Sequence, residues 1–138
     1  MSIERIYLIM LSSGDYEAVF SGLYTAAALA QTRKVFIMAH LGATRVLLDD
    51  AATGWTQLAT TGGKSPRDLD HERETAGVAG VEALLTAASK AGARFFTTKV
   101  GLAFIGVKKP QFNAQLNVEE VTLGELVKRH PQAHIINF

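Results

Sequence analysis

Arg5-Ile6-Tyr7-Leu8-Ile9-Met10-Leu11 runs straight into Ser12-Ser13-Gly14-Asp15, and this junction decides the fold. The apolar run is continuous rather than alternating, as in a strand covered on both faces of a parallel sheet. Turn and N-cap residues follow together in Ser12 to Asp15. Residues 16–31 then carry Val19, Phe20, Leu23, Tyr24, Ala27 and Ala30 at helical spacing. Residues 34–39, Lys34-Val35-Phe36-Ile37-Met38-Ala39, form a second apolar strand.

The alternation continues outward from this unit. His40-Leu41-Gly42 ends the second strand, and residues 43–50 read as a short helix with Val46, Leu47 and Leu48. Residues 51–75 change character to glycines, threonines and charges, and read as a polar, partly mobile internal loop. Residues 78–91 space Val81, Leu84, Leu85 and Ala88 on one helical face, with Gly92 as the C-terminal stop. Residues 93–97 are a third strand, residues 98–107 hold a short apolar helix, and residues 117–121 are a weak fourth strand at an edge. Thr122 caps a helix that runs to His130 and ends at Pro131, and residues 134–138 are a terminal strand. Alternating strands and helices predict an α/β fold, a three-layer parallel-sheet sandwich of about five strands with right-handed crossovers.

The chain has 138 residues, enough for one domain with one sizeable core, so residues 1–138 are read as a single α/β domain. It has no cysteine, which excludes disulfides, cysteine-ligated metal and thiol catalysis within this chain. Fourteen Lys and Arg stand against thirteen Asp and Glu, so nothing points to nucleic acid or an anionic membrane as partner. The N-terminal apolar run is shorter than a signal-peptide core and lacks a basic leader, and no stretch is long enough to span a bilayer. The cytoplasm is the expected location.

Ligands of parallel sheets bind beyond the carboxyl ends of the strands. Three segments are placed there: residues 12–15, 40–42 and 97–99. The candidate ligand-binding residues are Gly14, Asp15, His40, Thr97, Thr98 and Lys99. Lys99 supplies positive charge for a small anionic ligand, His40 and Thr98 supply hydrogen bonds, and the Gly14 backbone allows close approach. His40 is either an acid–base or ligand group or a histidine bonded to a neighbouring turn. Ser12 and Ser13 either bind an anion or cap the first helix.

Other motifs carry less. Gly63-Lys64-Ser65 resembles the tail of a phosphate-binding loop, but Leu58 stands where the first glycine belongs and no strand precedes it. His130 and His134 are separated by the helix-breaking Pro131, so a shared metal is not expected. His71 lies among Asp68, Asp70, Glu72 and Glu74 but is flanked by Arg67 and Arg73, which reads as a solvated charged loop. No metal site, no cofactor and no catalytic residue set is expected. The apolar segments 16–30 and 102–105 exceed what one sheet face needs and point to a homo-oligomer.

The order of elements resembles the DsrE/DsrF-like sulfur-relay family, and most of all its stand-alone, peroxiredoxin-like DsrE subgroup. The likeness rests on Ile6 to Met10 with Ser13-Gly14-Asp15, on Lys34 to Gly42, and on the segment after the third strand. There the subgroup has a cysteine, a serine three residues on, and a hydrophobe–glycine pair at seven and eight. This chain has Thr98, Gly101 and Ile105-Gly106 at those positions. The resemblance implies a DsrE-like, flavodoxin-like architecture, oligomers, and a sulfur-relay partner protein. Relatives with the cysteine carry sulfur as a persulfide; Thr98 has no thiol. The expected function is therefore a non-catalytic DsrE-like protein that binds a small ligand or partner in sulfur metabolism. Two alternatives stay open: a cysteine-free enzyme using His40 as acid–base group with Asp15 or Lys99, and a structural subunit of a sulfur-relay complex.

Overall fold

A computed structural model describes residues 5–49 and 53–138. Five parallel strands form one sheet in the order β4-β3-β2-β1-β5. They are β1 (Ile6–Leu11), β2 (Lys34–Ala39), β3 (Arg94–Thr97), β4 (Glu119–Glu120) and β5 (His134–Asn137). The helices are α1 (Tyr16–Ala30), α2 (Pro66–Thr75), α3 (Val81–Lys90), α4 (Lys99–Phe104) and α5 (Leu123–Arg129). This is an α/β fold of the flavodoxin-like kind.

The continuous apolar runs are explained by burial on both faces. Ile9, Leu11, Val35, Ile37, Ala39 and Phe95 pack beneath α1 and α3. Leu8, Met10, Phe36, Met38 and Phe96 face the other way, under Leu126 of α5 and Val121. Successive strand residues point to opposite faces, so both sets come from the same three strands. Asp15 starts α1, its carboxylate accepting from the amides of Glu17 and Ala18. Gly22 lets α1 lie close on β1, because a side chain there would collide with Leu11. No helix among the described residues is long and apolar enough to cross a membrane.

The polar stretch 51–75 differs from the expected loop. It contains one 3-10 turn, Trp55–Gln57, and the ten-residue helix α2. Ser65 and Asp68 form a reciprocal capping box around Pro66, which suits the first helical turn. The charges are the solvent side of an amphipathic helix whose other side is specific. Asp70 is 5% exposed and accepts hydrogen bonds from the Tyr16 hydroxyl and, at 2.9 Å, from the Val81 amide. Its carboxylate thus caps α3 from another helix, since the N-cap residue, Gly80, has no side chain. A side chain at Gly80 would run into that carboxylate, at 2.6 Å. This moves the start of α3 from the expected residue 78 to Val81. Arg73 pairs with Glu17 and lies 4.2 Å over the Phe20 ring, fixing the other end of α2 on α1.

Other boundaries shift as well. The short helix expected over 43–50 is a 3-10 segment, Leu41–Leu47, entered through Leu41 at φ 52°; residue 50 lies outside the described residues, as do residues 1–4, 51 and 52. The fourth strand contracts to two edge residues because Asn117 turns left-handed at φ 49° just before it. His130 and His134 diverge: the first packs edge-on to Phe36 and the second to Tyr7.

Candidate functional site

The carboxyl ends of β1, β2, β3 and β4 lie side by side, and the predicted segments gather there. At the end of β1, the Ser12 amide donates to the Phe138 carbonyl at 3.0 Å. At the end of β2, the His40 amide donates to the Leu11 carbonyl, also at 3.0 Å. Both side chains are half-buried, and Ser12 Oγ and His40 Nε2 share a hydrogen bond of 2.8 Å. Burial lowers the His40 pKa below its ordinary value, which favours a neutral imidazole near neutral pH.

Gly14 and Asp15 are placed at this edge, but structure occupies them. Gly42 approaches so closely that a Cβ on it would meet Gly14 Cα and N at 2.7 Å. The two loops after β1 and β2 therefore touch backbone to backbone, which only glycine at 42 permits. The Gly14 carbonyl accepts from Ala59 at 2.8 Å, and the Asp15 carboxylate is spent on the α1 cap. Thr97 is fully buried, its hydroxyl donating to the Ala39 carbonyl at 2.9 Å, so it stitches β3 to β2.

Thr98, Lys99 and His40 converge instead on a cleft of about 480 Å³ between α4 and α5. Thr98 is the N-cap of α4, its Oγ1 accepting from the Gly101 amide at 2.9 Å. Gly101 allows α4 to seat on the 3-10 segment: a side chain there would collide with Thr44 Oγ1 and lie 3.0 Å from His40 Cα. The far wall was not anticipated. It consists of Glu120, Val121, Thr122, Leu123 and Glu125 at the end of β4 and the start of α5. The strand-end rule that selected residues 12–15, 40–42 and 97–99 applies equally to the end of β4, and would have found them.

The charges of the cleft are mixed. Lys99 and Glu120 enter no ion pair among the described residues, while Glu125 pairs with Arg129 at 3.4 Å. Val100 is 66% exposed and Leu123 39% exposed, giving the cleft an apolar rim. Such a space suits a small molecule with an apolar body and groups of both signs, rather than the simple anion expected from Lys99 alone. Among the described residues no cluster of His, Asp or Glu is disposed to hold a metal ion. A smaller cavity, about 120 Å³ between Trp55 and Arg67, lies away from the strand ends.

No family model and no curated protein matches the chain. By structure the chain is similar to MTH1491 from Methanobacterium thermoautotrophicum, a protein of unknown function. The TM-score is 0.58 at 13% identity, over 99% of this chain and 100% of that one. This likeness supports the fold and carries nothing about chemistry.

Proposed function

We propose that this chain is a DsrE-like binding protein of sulfur metabolism. It takes a small amphipathic molecule in the α4–α5 cleft and carries no persulfide itself. One observation carries the reading: the 480 Å³ cleft brings His40, Thr98 and Lys99 together at the strand ends. Lys99 receives the anionic group of the ligand, Glu120 its cationic or donor group, and Val100 and Leu123 its apolar body. The absence of cysteine removes the thiol that a persulfide needs. The association with sulfur rests on the family resemblance, and the binding on the cleft.

The test is a titration of isotopically labelled protein with L-cysteine, a sulfur-bearing zwitterion, followed by amide chemical shifts. L-leucine serves as the sulfur-free comparison. Saturable shifts at Thr98, Lys99, Val121 and Leu123, stronger for cysteine, are expected. Equal shifts for both ligands would remove the sulfur reading and keep the cleft. No shifts there would remove both.

A further inference from the structure

Ser12 stands where a β-strand turns into a helix, and His40 stands at the same level on the neighbouring strand. The pair lies 28 residues apart in sequence and 2.8 Å apart in space. Four observations bear on what the pair can do. First, the hydroxyl and the imidazole are within the reach that marks an activated nucleophile and its base. Second, neither is fully buried, and the histidine also lines the cleft. Third, the amide of Ser13 has no hydrogen-bond partner among the described residues, whereas that of Gly14 is covered by the Gly42 backbone. The amide after the nucleophile receives the oxyanion where a serine sits on a strand-to-helix turn. Fourth, the residue after the histidine, Leu41, is held at φ 52°, a conformation that a leucine rarely adopts.

We propose that Ser12 and His40 form a nucleophile–base pair that accepts acyl groups from small carboxylic esters. Ser12 Oγ attacks the ester carbonyl carbon while its proton passes to His40 Nε2. The Ser13 amide receives the oxyanion. Collapse breaks the bond between the carbonyl carbon and the alcohol oxygen, and the alcohol leaves with the proton from His40. Water, deprotonated by His40, then attacks the acyl-serine, releasing the carboxylic acid and restoring the hydroxyl. No oxidant, metal or thiol is required.

This goes beyond the binding reading and does not depend on it. The probe is p-nitrophenyl acetate, with intact mass and peptide mapping to locate acetyl groups. Acetylation is expected at Ser12, with about one equivalent of p-nitrophenol released in a burst. Positioned base catalysis is worth about 100-fold or more, so Ser12 is expected to react at least that much faster than Ser21, Ser65 or Ser89. His40→Gln is expected to remove that advantage while leaving the far-ultraviolet circular dichroism unchanged. Acetylation of Ser12 no faster than at the other serines overturns the proposal, and this comparison needs only the wild-type chain. An unchanged Ser12 rate in folded His40→Gln overturns it as well. Ligand shifts in the cleft without acetylation would leave the binding reading standing and remove this one.

Discussion

Replacing Asp70 by alanine tests how α2 is held to the domain. The carboxylate is buried and receives two donors, the Tyr16 hydroxyl and the Val81 amide. Hydrogen bonds to a charged acceptor contribute about 1.5–3 kcal/mol each, so the gross loss is about 3–6 kcal/mol. Releasing a desolvated carboxylate offsets part of this, leaving an expected net destabilisation of about 2–4 kcal/mol. Tyr16→Phe removes one donor and keeps the other, and should cost about 1–2 kcal/mol. The double variant should be less destabilised than the sum by about 1 kcal/mol, because the tyrosine hydroxyl is orphaned only when Asp70 alone is removed. Urea unfolding of the four proteins measures this cycle. A second readout is the tyrosine titration. Burial and then the Asp70 hydrogen bond raise the Tyr16 pKa, so Asp70→Ala should lower it while burial keeps it above the ordinary value. Strict additivity, or an alanine variant as stable as the wild type, would refute the cross-helix cap.

Three further outcomes follow from the strand ends. Gly42→Ala should cost about 1–3 kcal/mol, since its Cβ meets backbone rather than a movable side chain; Gly14→Ala, with its nearest atom at 3.2 Å, should cost less, and the reverse order in urea midpoints would contradict the packing. Thr97→Val should lose about 1 kcal/mol by leaving the Ala39 carbonyl unpartnered, with no change in L-cysteine binding, and a loss of binding would make Thr97 a ligand residue. His40 has a folded pKa below its unfolded one, so its contribution is present above the unfolded value and is lost as pH falls through the folded value. Stability should therefore decline as pH falls below the ordinary histidine value of about 6.5, less so in His40→Gln, as read by urea midpoints.

The legible parts of the sequence were those governed by local rules. Continuous apolarity in residues 6–11 and 34–39 announces strands buried on both faces, and Asp15 and Thr122 are helix caps by residue type and context. What escaped depends on distant partners. The run Asp68 to Glu74 looks solvated until Tyr16, 54 residues away, supplies a donor for Asp70. A local signal was present in Ser65-Pro66 with Asp68 three residues after the serine, and its capping chemistry outweighs the charge content. The strand-end rule selects His40, Thr98 and Lys99, which line the cleft, and reaches the wall from β4 and α5 only when it is extended to the end of the weak fourth strand at Glu120. Gly14 and Asp15 were placed at the right edge; their engagement with Gly42, Ala59 and the α1 cap is set by tertiary contact.

The central claim is that the α4–α5 cleft binds a small two-signed molecule. The most direct measurement is the L-cysteine titration repeated on Lys99→Gln and Glu120→Gln, two exposed positions at which folding should be unaffected. The account predicts saturable amide shifts confined to Thr98, Lys99 and residues 120–125 in the wild type. It predicts that each variant weakens binding several-fold, since each exposed charge contact is worth up to about 1 kcal/mol. Shifts that are absent from the cleft, or that persist unchanged in both variants, would contradict it.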